Sequence, residues 1–220
     1  MEIYYPADAA GDQVPFTQQP ITAPILVFGH GFVMSWEAYS NLWNALVPHG
    51  YVMAFVTTET GLSPSHLEFG KDIAFAVGHM QSLSSNAADL FYQRLDSAAA
   101  VMGHSMGGGS AFLSVAFNPS IRAIATLAAA ETNPSAIAAA SSITIPAMVF
   151  AGSNDCVTPP PQHQIPMYNA LVSPCKTYVS ITGASHCQMA EYNFFCNFGE
   201  TSCSPAPAPA ARSPRIATVR

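Results

Sequence analysis

Val101–Leu113 reads VMGHSMGGGSAFL. An apolar run ends in Gly-His, a single serine follows, and three glycines then lead into apolar residues. Gly103-His104-Ser105-Met106-Gly107 fits G-x-S-x-G, the pattern of a nucleophile elbow. Such an elbow turns a strand sharply into a helix and leaves its serine strained, with the hydroxyl exposed. Glycines at positions 103 and 107 remove the Cβ atoms that would collide there. The helix N-terminus behind the serine presents backbone N–H groups and a positive dipole end to a developing oxyanion. A plain glycine turn would carry the same letters. What separates the two is context, and here an apolar strand precedes the serine and a helical pattern follows it.

Outward from the elbow, apolar runs of strand length alternate with helix-period segments. ILVFGH (Ile25–His30), YVMAFV (Tyr51–Val56), AAAVMGH (Ala98–His104), IRAIATL (Ile121–Leu127), IPAMVFAG (Ile145–Gly152) and KTYVSI (Lys176–Ile181) read as strands. Apolar on both faces, they suit a sheet covered on both sides. Between them, Trp36, Tyr39, Trp43 and Leu46 recur at helical spacing, with Ser35 as the expected cap. Ile73, Val77 and Met80 do the same in HLEFGKDIAFAVGHMQSL. The alternation predicts an α/β fold with a mainly parallel central sheet and helices on both faces.

Composition narrows the function classes. The chain has 220 residues, half of them apolar and only 9% charged, which is enough for a sizeable core in one domain. Seven Lys plus Arg and a net charge of −6 leave no basic patch for nucleic acid. No apolar run reaches the ~20 residues of a membrane span. Met1 is followed at once by EIYYP, which reads as a strand already under way. That leaves a cytoplasmic protein or a mature domain without its leader. Cys156, Cys175, Cys187, Cys196 and Cys203 all fall in the last third, without a C-x-x-C pair. They point to disulfides and secretion, extracellular or periplasmic, rather than to a metal site. Residues 1–203 read as one domain, and the Pro/Ala-rich 204–220 as a disordered tail.

A nucleophilic serine needs a base, and the base needs an orienting acid. Asp155 follows the strand IPAMVFAG and His186 follows KTYVSI, both just past strand C-termini, where open α/β sheets build their sites. After Ser105 the other acids are Glu131, Glu191 and Glu200, and the other histidine is His163. Glu131 also follows a strand and is the second candidate acid, whereas His163 lies in a proline-rich stretch. FGHGF (Phe28–Phe32) ends an early strand, and the backbone N–H groups of Phe32 and Met106 are the candidate oxyanion donors. His30 and His104 are expected to make structural hydrogen bonds outside the triad.

IYYPAD, FGHGF, YVMAFVTT, GHSMGGG, SNDCVTPP and GASHC together resemble the bacterial cutinase and polyester-hydrolase group of the α/β-hydrolases, poly(ethylene terephthalate) hydrolases included. Dienelactone-hydrolase-like and chlorophyllase-like esterases are neighbours of that group. The resemblance runs over roughly residues 2–200 and implies an α/β-hydrolase fold. It casts Ser105 as nucleophile, Asp155 as acid and His186 as base, and Phe32 and Met106 match its oxyanion positions. Two departures stand out. The family begins with one more strand, so the first N-terminal strand is expected to be lacking. The family also carries a tryptophan that stacks on an aromatic substrate, and here AAAET puts Ala130 and Glu131 at that place. Phe32, Ala130 and Glu131 are therefore the candidate substrate-binding residues, with a weakened aromatic clamp.

The resemblance implies a serine carboxylic-ester hydrolase that needs no cofactor and no metal, works as a monomer, and takes short acyl esters or polyesters. A lipase-like or chlorophyllase-like esterase without polymer activity is the alternative, and a non-catalytic binding module the third reading. Cys156 and Cys187 follow the acid and the base at one edge of the sheet, whereas Cys175 precedes a six-residue strand of ~20 Å, too long for a disulfide to bridge. The expected bonds are Cys156–Cys187 and Cys196–Cys203.

Overall fold

A computed structural model describes residues 1–17 and 22–203. Seven strands form its sheet: β1 (Glu2–Tyr4), β2 (Ala23–Gly29), β3 (Val52–Phe55), β4 (Leu95–His104), β5 (Ile121–Leu127), β6 (Ala147–Gly152) and β7 (Lys176–Ile181). The helices are α1 (Ser40–Leu46), α2 (His66–Ser85), α3 (Met106–Ser114), α4 (Ala136–Ala140), α5 (Gln164–Ala170) and α6 (Phe194–Gly199).

Strand residues point alternately to the two faces of a sheet. In β2 both sets are buried: Ile25 and Val27 pack in one apolar cluster, Leu26 and Phe28 in another. The first cluster takes Phe69, Ile73, Val77 and Met80 from α2, Phe112 from α3 and Met167 from α5. The second takes Leu42 from α1 and the neighbouring Tyr39. Each large side chain so buried contributes about 1.5–3 kcal/mol. Two covered faces explain why the central strands β2 and β3 carry continuous apolar runs; the edge strand β7, expected to be apolar on both faces, has no buried residue, because it has a neighbour on one side only.

The strand order is β1-β3-β2-β4-β5-β6-β7. Only β1 runs antiparallel, on β3; the other five pairings are parallel. The sheet thus ends on a three-residue antiparallel strand, where Tyr4 stacks on Trp43 with ring centroids 4.3 Å apart. The chain builds β2, moves outward to β3, then returns to place β4 on the other side of β2. The loops after β2 and β4 therefore leave the sheet side by side at a topological switch point, with Gly29 in register with Gly103.

Ser35 departs from its expected role. It stands before a 3₁₀ turn, Trp36–Tyr39, that leads into α1, and its side chain caps no backbone N–H. Its hydroxyl donates to Glu37 Oε2 at 2.8 Å instead. Ser65 does cap α2, accepting from Glu68 N–H at 3.2 Å. Among the described residues no helix is long and apolar enough to cross a membrane. The tail 204–220 lies outside the described residues.

Candidate active site

Ser105 joins β4 to α3 with φ 54° and ψ −120°, a left-handed φ that L residues seldom adopt. Its main chain is pinned from both sides: Ser105 N–H donates to Leu127 O at 3.0 Å, and its carbonyl accepts from Gly109 N–H at 3.1 Å and Ala130 N–H at 2.8 Å. The turn requires close approach of backbones. A Cβ on Gly103 would overlap the Gly107 carbonyl, and one on Gly107 would overlap the Gly29 carbonyl. Val33 (φ 53°) and Ala128 (φ 45°) share the left-handed region, in the loop after β2 and just past β5. Three strained positions thus lie at strand ends on this side of the sheet, and Gln13, Glu59 and Gln93 share the same region elsewhere.

The loops that carry Asp155 and His186, the candidate acid and base, are zipped together. Asn154 N–H donates to Ala184 O at 2.9 Å, and Gly183 N–H to Ser153 Oγ at 2.8 Å. This brings His186 Nδ1 to 2.8 Å from Asp155 Oδ2, with both side chains buried. Asp155 Oδ1 accepts from Val157 N–H at 2.9 Å and Thr158 N–H at 2.8 Å. Buried carboxylates need such partners, and a carboxylate that only accepts holds the imidazole in the Nδ1–H tautomer. Nε2 is then the nitrogen left free to take a proton.

His104, next to the serine in sequence, ties the elbow to His186. Its Nε2 lies 3.2 Å from the His186 carbonyl, and the two rings are 4.7 Å apart between centroids. A carbonyl only accepts, so Nε2 carries the proton and Nδ1 accepts from Tyr39 OH at 3.0 Å. Tyr39 in turn accepts from Gly31 N–H at 2.8 Å, in the loop that presents Phe32. These are the structural hydrogen bonds expected of His104. The His30 ring lies between two carbonyls, Nδ1 2.8 Å from Gly31 O and Nε2 2.8 Å from Thr58 O, and donates to one of them.

Burial pushes the His104 imidazole well below its ordinary value of 6.5, and any positive charge on His186 adds to this; the hydrogen bond to the His186 carbonyl opposes it. Unfolded, the group takes up a proton near pH 6.5, and folded it does not. The unfolded state therefore binds more protons below that pH, and stability falls as pH drops. The slope from this one group approaches ~1.4 kcal/mol per pH unit. Urea unfolding of wild type and His104→Gln across the window just below pH 6.5 should show the variant with a slope shallower by about one proton. Equal slopes would remove His104 as the cause.

The sequence profile of the PET hydrolase-like family matches residues 1–201. The chain belongs to the PET hydrolase-like family. Cutinase 1 of Thermobifida cellulosilytica is 27% identical over 178 residues, 80% of this chain and 65% of that protein. Cutinase of Thermobifida fusca (strain YX) is 27% identical over the same length and is covered to 56%. A bis(hydroxyethyl) terephthalate hydrolase of Streptomyces coelicolor (strain ATCC BAA-471 / A3(2) / M145) is 26% identical over 185 residues, 84% of this chain and 54% of that one. The chain spans less than two thirds of the length of these curated relatives.

In this PET hydrolase-like chain, Phe32 is 48% exposed and Met106 is buried. Among the described residues neither backbone N–H meets a protein acceptor. Ala130 borders the elbow through its bond to Ser105 O. Glu131 is engaged elsewhere: its carboxylate accepts from Ser135 Oγ and, at 3.0 Å, from Ile137 N–H, holding the start of α4. Its own N–H donates to His163 Nδ1 at 2.8 Å. Burial lowers the His163 pKa, against the pull of Asp155 and Glu131, which keeps that nitrogen an acceptor.

The expected disulfide pairing is corrected. The bonds are Cys156–Cys203 and Cys187–Cys196, each with Cα atoms 5.7 Å apart, and Cys175 is an exposed free thiol. The reason is the path taken after His186. The chain turns through α6, which sets Cys196 against Cys187, and then through a 3₁₀ turn, Glu200–Ser202. Glu200 Oε1 accepts the Cys187 N–H at 2.8 Å, and Cys203 lands on the acid loop. Sequence reasoning also missed Thr158 and Gln164, which surround the Asp155–His186 pair. A hydroxyl three residues after an aspartate signals a local turn, but its reach to the imidazole is set by the fold.

Proposed function

We propose that the chain is a serine carboxylic-ester hydrolase. The observation that carries this reading is the buried Asp155–His186 pair, 2.8 Å apart, linked through the His104–His186 hydrogen bond to a strained serine at a strand-to-helix elbow. His186 Nε2 takes the Ser105 proton as Oγ attacks the ester carbonyl. Asp155 fixes the imidazole tautomer and stabilises the imidazolium. The Phe32 and Met106 N–H groups receive the oxyanion, aided by the N-terminus of α3. The imidazolium then protonates the leaving alcohol; water, deprotonated by His186, attacks the acyl carbon, and the C–Oγ bond breaks as His186 returns that proton to Ser105 Oγ and the acid leaves. Protein groups of a single chain carry every step.

Short acyl esters and polyesters are the proposed substrates, in line with the cutinases and the terephthalate-ester hydrolase among the relatives. Ala130, where a stacking tryptophan would stand, favours a second reading: small esters alone. Residues 1–203 are the proposed catalytic domain. Two disulfides support an extracellular or periplasmic site of action.

The test is labelling with a fluorophosphonate, run beside turnover of a soluble p-nitrophenyl ester and product release from a polyester film. Labelling at Ser105 with ester turnover is expected. An unlabelled, inactive protein would return the chain to the class of binding modules, and soluble turnover without film release would leave the small-ester reading.

A further inference from the structure

Four polar atoms converge on one buried hydroxyl next to the Asp155–His186 pair. Thr158 Oγ1 lies 2.9 Å from Asp155 Oδ2, 3.0 Å from His186 Nδ1, 3.1 Å from Ala128 O and 3.1 Å from Gln164 Nε2. A hydroxyl has one proton and two acceptor lone pairs, so the roles can be assigned. The carboxylate and the Ala128 carbonyl only accept, and the single proton goes to one of them. Gln164 is fully buried, and its amide nitrogen also donates to Ala129 O at 2.6 Å. With one N–H on that carbonyl, its second N–H falls on Thr158 Oγ1. His186 Nδ1 is protonated because it faces a carboxylate. Its N–H is therefore divided between Asp155 Oδ2 at 2.8 Å and Thr158 Oγ1 at 3.0 Å.

We infer that Thr158 is a positioning residue that shares the Nδ1 proton of His186 with Asp155, and that Gln164, at the start of α5, turns the Thr158 hydroxyl into an acceptor for it. This rests on the triad reading above. The consequence is differential. When Nε2 takes the serine proton, the ring becomes positive and the Nδ1–H becomes a stronger donor. A second acceptor is then worth more in the transition state than in the resting enzyme, which raises kcat and leaves ground-state binding alone. The Nδ1 proton stays on nitrogen throughout; neither Asp155 nor Thr158 takes it.

Thr158→Val keeps the shape and removes the hydroxyl. Its kcat on a soluble ester should fall roughly five- to tenfold, with KM essentially unchanged. Thr158→Ser should restore kcat. The low-field proton NMR resonance of His186 Nδ1–H should move further downfield in Thr158→Val, since the proton then has a single acceptor. Should valine prevent folding, Thr158→Ala carries the same three readouts. Wild-type kcat with an unmoved resonance, or a loss that serine does not restore, overturns the inference and leaves Thr158 a packing residue. Failure of the triad reading is distinguishable, because a Ser105→Ala enzyme would then keep its turnover whatever Thr158 does.

Discussion

Replacing Ser105 by alanine lowers kcat on a p-nitrophenyl ester by about 10⁴- to 10⁶-fold, while the protein melts within a few degrees of wild type. The two halves of this expectation have separate causes. In the proposed mechanism Ser105 Oγ is the atom that bonds the acyl carbon, and nothing else at the elbow can replace it. Residual turnover over the uncatalysed rate would come from the oxyanion donors and from binding. The structural work at this position is done by the main chain: the bonds to Leu127 O, Gly109 N–H and Ala130 N–H are blind to the side chain. Alanine has the same Cβ as serine, so the left-handed φ of 54° costs the same in both. Steady-state kinetics and a thermal melt on one preparation check the pair of outcomes. Wild-type turnover by the alanine variant would end the assignment of Ser105 as nucleophile.

Removal of the Cys156–Cys203 bond should cost more stability than any other cysteine change. The bond joins residues 47 apart, and the Cys187–Cys196 bond residues 9 apart. Cross-linking restricts the unfolded chain in proportion to the logarithm of the loop, giving about 4 kcal/mol for the long loop and about 2.6 kcal/mol for the short one. In a domain of this size, 4 kcal/mol lowers Tm by roughly 8–16 °C. The pair of variants Cys156→Ala/Cys203→Ala and Cys187→Ala/Cys196→Ala should therefore rank in that order in chemical denaturation. Cys175→Ser, at an exposed free thiol, should melt like wild type. Cys156 adjoins Asp155, so the long-loop variant should also lose ester turnover below its Tm as the acid loop loosens. A larger loss from the short loop, or none from either, would contradict the pairing.

The elements that were legible in the sequence share one property: they are dictated locally. The segments Ile121–Leu127 and Lys176–Ile181 are the strands β5 and β7 residue for residue, because β-branched and aromatic runs bounded by turn residues leave a strand little freedom. The other predicted strands shift only at their ends. Ser105 was readable for a steric reason, since only glycines at 103 and 107 let β4 and α3 approach so closely. Asp155 and His186 were readable because each follows a strand whose C-terminus must open at the same edge of the sheet.

What the sequence could not show depends on where distant segments return. Ser35 had the composition of a cap, yet its hydroxyl found Glu37, because the local turn opened as 3₁₀. The disulfide pairing turned on α6 setting Cys196 against Cys187 and on the following turn carrying Cys203 to Cys156, a path that no spacing of cysteines encodes. Thr158, Gln164 and the chain from Gly31 through Tyr39 and His104 to His186 are ordinary polar residues in the sequence. The amino-acid sequence by itself determined the layered α/β architecture, the elbow and the identity of the acid and base candidates, since periodicity and steric demand act within a few residues. The tertiary structure alone decided which hydrogen bonds hold those groups and which sulfurs meet. A hydrogen bond or a disulfide forms over a few ångströms of space, whatever the distance along the chain.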